Sequence, residues 1–406
     1  MPDPPDSTER PGGSSRRAIL TVAIAAIALE TALLGLIAPL LPEIEERTGA
    51  GDAALGLALA AYAIPILIVS IPTGRLADRI GRRPLLLGGL VLTGVGSLLI
   101  AYSPSLEALL AGRAVQGLGS TASWVAALAL VSDLARPGRK GEAIGFALAA
   151  NSGGAVAGPA LGGIVGGAIS FEAPFILVSI IAAAMFTAGW FVLPRGAPRP
   201  TGVEGGAPQQ GMLQMLFRRE ALVPGAVAIA GAAFLGMIDF VVPLDLDRRL
   251  GTTEIAIGLL FAAAASLDAI ASPIAGTAGD RRGRRPIVLL GAAVVAASGI
   301  LLAALGTLGG AAVALIVFGV GQSIVFSGAV PWLDETFGEL DRGLAYGGLN
   351  LVYATGYTIG PLLGGFLLAE ASADAAYLLM AGIALAGLAM LALGGGKPSD
   401  GRDSVR

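Results

Sequence analysis

The sequence predicts an all-α polytopic membrane protein with twelve transmembrane helices in two pseudo-symmetric six-helix bundles. Three observations predict it. Apolar residues make up 55% of the 406 residues, charged residues only 14%, and the mean hydropathy is +0.78; a soluble domain carries about 25% charged residues. The apolar residues fall into blocks of about twenty or more, the length at which a helix rising ~1.5 Å per residue crosses ~30 Å of hydrocarbon. Finally, a single offset of 202 residues superposes separated features of the two halves.

Taken in order, residues 1–17 are rich in Pro, Gly, Ser and Asp and read as a disordered cytoplasmic tail. Ala18 opens an apolar run too long for a signal peptide, and further spans follow it. Six spans at 18–41, 54–73, 84–102, 106–134, 142–168 and 174–193 make an N-terminal bundle of 18–194. Residues 195–220, rich in Pro, Gly and Gln, read as a cytoplasmic linker. Spans at 221–244, 255–275, 286–305, 308–333, 344–369 and 374–394 make a C-terminal bundle of 221–394, and 395–406 is a second cytoplasmic tail.

Positive residues are retained on the cytoplasmic side. With the N-terminus inside, 22 of the 26 basic residues are cytoplasmic, Arg47, Arg248 and Arg249 lie outside, and Arg113 lies within a span. Both termini are therefore expected in the cytoplasm, in a plasma membrane.

Composition also excludes functions. A net charge of −3, with the Arg residues scattered over short loops, leaves no stripe for nucleic acid. The chain has no Cys and no His, which removes disulfides, thiol catalysis, imidazole bases and the commonest zinc and haem ligands. No metal, no cofactor and no enzymatic activity are expected, and no Gly-Xaa-Ser-Xaa-Gly nucleophile motif is present.

The repeat holds its register across three segments. Gly74, Asp78, Arg79, Gly81, Arg82, Arg83 and Pro84 recur as Gly276, Asp280, Arg281, Gly283, Arg284, Arg285 and Pro286. Gly154, Gly158, Pro159, Gly162 and Gly163 recur as Gly356, Gly360, Pro361, Gly364 and Gly365, and Gly117 and Gly119 as Gly319 and Gly321. Such agreement argues for duplication. Six spans return the chain to its starting side, so the copies are parallel, related by an axis along the membrane normal.

The first segment, GRLADRIGRRP, reads as a short cytoplasmic loop after span two in which Gly74 and Gly81 allow a tight turn and Arg79, Arg82 and their neighbours meet lipid phosphate. Asp78 can pair with Arg82 or face a helix N-terminus, making a conformational latch, and Asp280 and Arg284, with Gly276 and Gly283, repeat it. A loop that is merely positive explains the Arg residues but not the matched Asp and Gly. In span five, small residues four apart allow close helix packing, and Pro159 bends the helix.

On these residues the chain resembles the major facilitator superfamily. GRLADRIGRRP is similar to that family's signature loop between spans two and three. Arg113, Gln116, Gly117 and Gly119 resemble its span-four signature, and Gly154, Gly158, Pro159, Gly162 and Gly163 its span-five signature. The resemblance covers the chain apart from its tails and linker. The span-five signature is typical of the antiporter branch, particularly drug/proton exporters, and so implies export by exchange.

Four ionisable residues lie inside spans: Glu30 near the middle of span one, Arg113 in span four, Asp239 in span seven and Asp268 in span eight. Each costs about 2.5–3.5 kcal/mol at the bilayer centre on insertion scales, so each is a functional candidate. Ala232, Leu315, Ile37 and Ile66 stand at the 202-residue offset, so the charges were not duplicated with the scaffold. Glu30 can load and unload a proton if rocking changes its burial or its distance from Arg113. The resemblance implies the same roles for these two, although Asp is commoner than Glu at the first position in parts of the family. The alternative is a buried Glu30–Arg113 pair that only fixes packing. Gln116, Asn151, Gln322, Asn350, Tyr353 and Tyr357 are polar candidates for a cavity lining. The outer residues Glu43, Glu45, Glu46, Asp245 and Asp247 read as a solvated rim.

The sequence therefore points to a secondary transporter exchanging a small, lipophilic or cationic compound for a proton or sodium ion, acting as a monomer in the lipid bilayer. A uniporter or symporter for a sugar or organic anion and a non-transporting receptor or scaffold remain as alternatives.

Overall fold

The computed structural model describes residues 13–135, 140–194, 219–337 and 342–393. Residues 13–17 of the tail predicted as disordered and 219–220 of the predicted linker are helical; the rest of the linker and of both tails lies outside the described residues. The described residues are helical throughout, with twelve helices long and apolar enough to cross a membrane. In chain order they are α1 (Gly13–Leu36), α2 (Asp52–Ile80), α3 (Arg82–Ala101), α4 (Leu106–Asp133), α5 (Lys140–Ala168), α6 (Glu172–Val192), α7 (Arg219–Leu250), α8 (Glu254–Arg282), α9 (Arg284–Ala304), α10 (Leu308–Phe337), α11 (Arg342–Glu370) and α12 (Ala373–Leu393). A single 3-10 turn carries α1 into a short extension, Leu41–Thr48. The face at which α1 begins is called here the tail face and the opposite one the far face.

Helix ends follow local chemistry. Ser105 and Thr253 cap α4 and α8 by accepting from the amides of Ala108 and Ala256, each at 3.4 Å. Among the described residues, positive φ occurs only at Gly49 (63°), Gly81 (90°), Gly251 (59°) and Gly283 (87°), two pairs at the 202-residue offset. The duplication therefore kept the left-handed turns, which a side chain would strain.

One expectation is corrected. GRLADRIGRRP is not a loop: α2 continues through Ile80, and Gly81 alone breaks the chain before α3. Its twin behaves alike at Gly283. Charged residues end an apolar block in a hydropathy reading, but beyond the hydrocarbon they leave the backbone free to stay helical. Gly81 makes the turn, whereas Gly74 and Gly276 sit inside helices with nothing within 4 Å of the place of a Cβ.

The span-five glycines form a zipper. A Cβ at Gly154, Gly158 or Gly162 would strike the carbonyl oxygen of Ala28, Ala32 or Leu36, so α5 lies on α1 at backbone distance over two turns. In the other half, Gly356 and Gly360 lie likewise on the carbonyls of Ile229 and Ala233 in α7. The two bundles meet along α2 with α11 and α5 with α8. Towards the far face Gly163 abuts Gly258, and Gly365 abuts Gly56. These contacts are again images of each other at the offset, and Gly56 and Gly258 were legible as partners only once the helices were in place.

Candidate transport site

Glu30, on α1, is 2% exposed. Its carboxylate accepts from the Thr93 hydroxyl of α3 at 3.1 Å. The Tyr62 hydroxyl of α2 donates to the Glu30 carbonyl oxygen at 3.1 Å and shares a hydrogen bond with Ser120 Oγ of α4 at 2.7 Å. Arg113, on α4, is 1% exposed, with its guanidinium 4.5 Å from the centre of the Tyr62 ring. Its Nη1 donates to Gln116 Oε1 at 3.1 Å and lies 3.5 Å from the Leu33 carbonyl. Nε and Nη2 are buried and meet no acceptor among the described residues.

The two candidates come together without pairing. Among the described residues no cation forms an ion pair with Glu30, and no carboxylate does so with Arg113. Arg113 reaches α1 one turn beyond Glu30, at Leu33, and Tyr62 lies against both residues. A polar thread joins them instead. Gln116 Nε2 donates to Ser97 Oγ at 2.8 Å, Ser97 Oγ donates to the Thr93 carbonyl at 2.7 Å, and the Thr93 hydroxyl meets Glu30.

The other half contributes Asp239 of α7, 6% exposed, whose Oδ2 accepts from the Tyr357 hydroxyl of α11 at 2.7 Å. That hydroxyl lies 3.5 Å from the Leu34 carbonyl of α1, across the seam and one residue from the Leu33 carbonyl that Arg113 approaches. Tyr353 stacks on Tyr357 with ring centres 6.0 Å apart, and Phe326 follows it, also at 6.0 Å. Aromatic residues are only 5% of the chain, yet three of its six tyrosines converge here. The four-residue spacing of Tyr353 and Tyr357 puts these two on one helix face, but nothing in the sequence places Tyr62 beside them.

The remaining candidates are distributed. Asn151 accepts from Thr31 at 2.7 Å within the first bundle, and Asn350 donates to Ser70 at 3.2 Å across the seam. Asp268 is half-buried on α8, and its backbone carbonyl accepts from the Ser323 hydroxyl at 3.0 Å. Gln322 donates to the Gly231 carbonyl at 2.6 Å and so braces the second bundle.

At the tail face, in the second half, Arg284 binds Asp280 at 2.7 Å and Glu335 of α10 at 3.0 Å. The Asp78 side chain lies outside the described residues. Arg82 pairs with Asp133 of α4 at 3.3 Å and donates to the Ala77 carbonyl at 3.2 Å. Asp133 and Glu335 are themselves 202 residues apart and escaped the sequence reading, although the offset would have found them.

At the far face the acidic rim is not simply solvated. Arg47 binds Glu43 at 2.8 Å and Glu172 at 2.7 Å, and Arg249 binds Asp245 at 3.4 Å and Asp374 at 3.1 Å, one triad in each half. Arg248 crosses between the halves to Glu45 at 2.6 Å and Asp52 at 2.5 Å. A sequence window cannot pair residues that meet only when two bundles close.

Residues 22–244 and 225–405 each match the Major Facilitator Superfamily. The chain belongs to that superfamily. The tetracycline resistance protein class G of Vibrio anguillarum is 30% identical over 71% of this chain and 74% of its own. Multidrug resistance protein 1 of Bacillus subtilis is 24% identical over 82% and 85%. The inner membrane transport protein YajR of Escherichia coli is 33% identical over 39% of this chain and 34% of its own, so that match spans about a third of the relative. Two solved structures share the fold. The human organic anion transporter MFSD10 has a TM-score of 0.66 at 19% identity, covering 94% of this chain and 100% of its own, and a bacterial Spinster homologue has 0.71 at 14%, covering 94% and 95%. This superfamily member is thus a multi-pass membrane transporter with two duplicated bundles, in the company of drug-resistance proteins.

Proposed function

We propose that this chain exports a small molecule in exchange for protons, with Glu30 as the proton carrier and Arg113 as the cation that senses its charge. One observation carries the reading: a carboxyl and a guanidinium are buried on neighbouring helices, each without an ionic partner among the described residues. A bare ion costs several kcal/mol in such surroundings even after relaxation. Glu30 avoids that cost by holding a proton here, and it can release the proton when rocking of the bundles brings water or Arg113 to it. The resistance proteins among the relatives support export over uptake.

The rest of the reading follows. The tail face is cytoplasmic, as the basic residues require. The Arg82 and Arg284 contacts latch that face, and the glycine contacts seal the far one. Asp239, Asp268, Asn350 and Tyr353 belong to the pathway between the bundles. The transport unit is the monomer, because one chain supplies both sides of the seam. Residues 195–220 link the bundles.

The test uses everted vesicles, whose lumen is acidified by respiration, with a panel of candidate substrates. Glu30→Gln is expected to abolish proton-driven substrate accumulation while counterflow of substrate without a gradient persists. Unchanged pH-driven exchange by this variant would refute the assignment, and dependence on sodium instead of a proton gradient would replace the coupling ion.

A further inference from the structure

We infer that the seam between Arg113 and Asp239 takes a planar ligand bearing both an acidic oxygen and a cationic group. The acid docks on Arg113, the cation faces Asp239, and the ring lies against Tyr62, Tyr353 and Tyr357. This inference rests on the transport reading and adds to it the chemistry of the cargo.

Two donors of Arg113, Nε and Nη2, are buried with no acceptor among the described residues. Nε and Nη2 of Arg113 share one edge of the guanidinium, the edge that receives both oxygens of a carboxylate or an equivalent acid in parallel hydrogen bonds. Nη1, on the other edge, is occupied by Gln116 and the Leu33 carbonyl. The side chain is 1% exposed, so bulk water does not satisfy that edge. Packing on Tyr62 holds the plane of the group in place.

The opposite wall carries the complementary deficit. Asp239 has a neutral hydroxyl from Tyr357 and, among the described residues, no cation. Tyr357 links the two walls: its hydroxyl is bonded to Asp239 and lies 3.5 Å from the Leu34 carbonyl of α1, next to the Leu33 carbonyl that Arg113 approaches. The acid and the base belong to different bundles. A ligand joining them would neutralise both, enter with no net charge of its own, and bind tightly only when the bundles are close. A simple cation would leave Arg113 unmatched, and a simple anion would leave Asp239 unmatched. Aromatic faces suit the ring and its positive charge.

A matched dye pair tests this: a rhodamine with a free carboxyl group and its ethyl ester, which keeps the cationic ring and loses the acid. Anisotropy titrations use the purified full chain in detergent. The free acid is expected to bind about tenfold or more tighter than the ester, the range of a charge-assisted hydrogen-bond pair. Arg113→Lys, which keeps the charge but loses the fork, should erase most of that preference, while Asp239→Asn should weaken both dyes. If Arg113→Lys fails to elute as a folded monodisperse species, Arg113→Gln is read the same way.

Equal binding of acid and ester, a preference that survives substitution of Arg113, or no binding of the acid to folded protein would overturn the inference. Everted vesicles separate this from the transport reading. Gradient-driven movement of the ester with no preference for the acid leaves transport standing and removes the ligand inference. An Arg113-dependent preference in binding, with neither dye moved by a gradient, does the reverse.

Discussion

Among the described residues, Glu30 and Arg113 are both buried without an ionic partner, each at one spot in its helix. Their neighbours show how the protein tolerates it. Thr93 and Tyr62 offer hydroxyls to Glu30 and its carbonyl, and Gln116 offers its amide oxygen to Arg113, so neither group is bare even though neither has a counter-ion. Thr93→Val should therefore impair coupling without preventing folding, since it removes a hydroxyl and keeps the volume; the shift is read as a changed pH profile of substrate counterflow. Tyr357→Phe leaves Asp239 buried without its donor and is expected to destabilise the protein by about 1–3 kcal/mol, the usual cost of an orphaned buried acceptor. Thermal unfolding in detergent measures it. Glu30, Arg113, Asp239 and Asp268 were legible in the sequence because charge in an apolar block is conspicuous. Tyr62 and Ser97 were not, because a hydroxyl in a span has many uses and only its neighbours select one.

Between helices, the spacing of small residues decides how close two backbones come. Gly154, Gly158 and Gly162 repeat every fourth residue, which puts them on one face of α5, and α1 presents the carbonyls of Ala28, Ala32 and Leu36 at the same interval. Gly158→Leu should force α1 and α5 apart, with a loss of about 1–3 kcal/mol or more, typical of overpacking; thermal unfolding checks it, and Gly74→Ala, facing open space, is the control expected to be near neutral. At the tail face, Arg284 of α9 is shared by Asp280 at the end of α8 and Glu335 of α10. Glu335→Gln is expected to loosen α10 from α9 within the second bundle by about 0.2–1 kcal/mol, read by thermal unfolding, because it removes that partly solvated pair and keeps the one between α8 and α9. The glycine repeat announced the zipper in advance. Which helix it would meet was beyond the sequence, since any helix with exposed carbonyls satisfies small residues.

Across the whole molecule, the far seal combines two kinds of contact of unequal strength. The Arg248 pairs with Glu45 and Asp52 are partly solvated, and such pairs contribute about 0.2–1 kcal/mol each. Backbone packing at Gly56 with Gly365 and Gly163 with Gly258 must hold most of the closed state. The salt bridge is also one-sided: the position equivalent to Arg248 is Glu46, which faces Asp247, and Asp247 in turn feels Glu254. A weak lock beside a patch of like charge is compatible with a seam that opens in each cycle. Because the chain has no native cysteine, Glu45→Cys with Arg248→Cys can be joined selectively by a bifunctional maleimide. That link should stop transport while either single variant, treated alike, continues; transport through the linked protein would exclude opening at the far face. Sequence alone determined the twelve spans, their division six and six, the duplication and the candidate charges, because lipid demands long apolar helices and makes every exception visible. Tertiary structure alone decided that Glu30 and Arg113 stand unpaired, that tyrosines from both halves gather beside them, and that Arg248 bridges the bundles. Those facts depend on contacts between residues up to hundreds of positions apart, and only the closing of one bundle on the other fixes their distances.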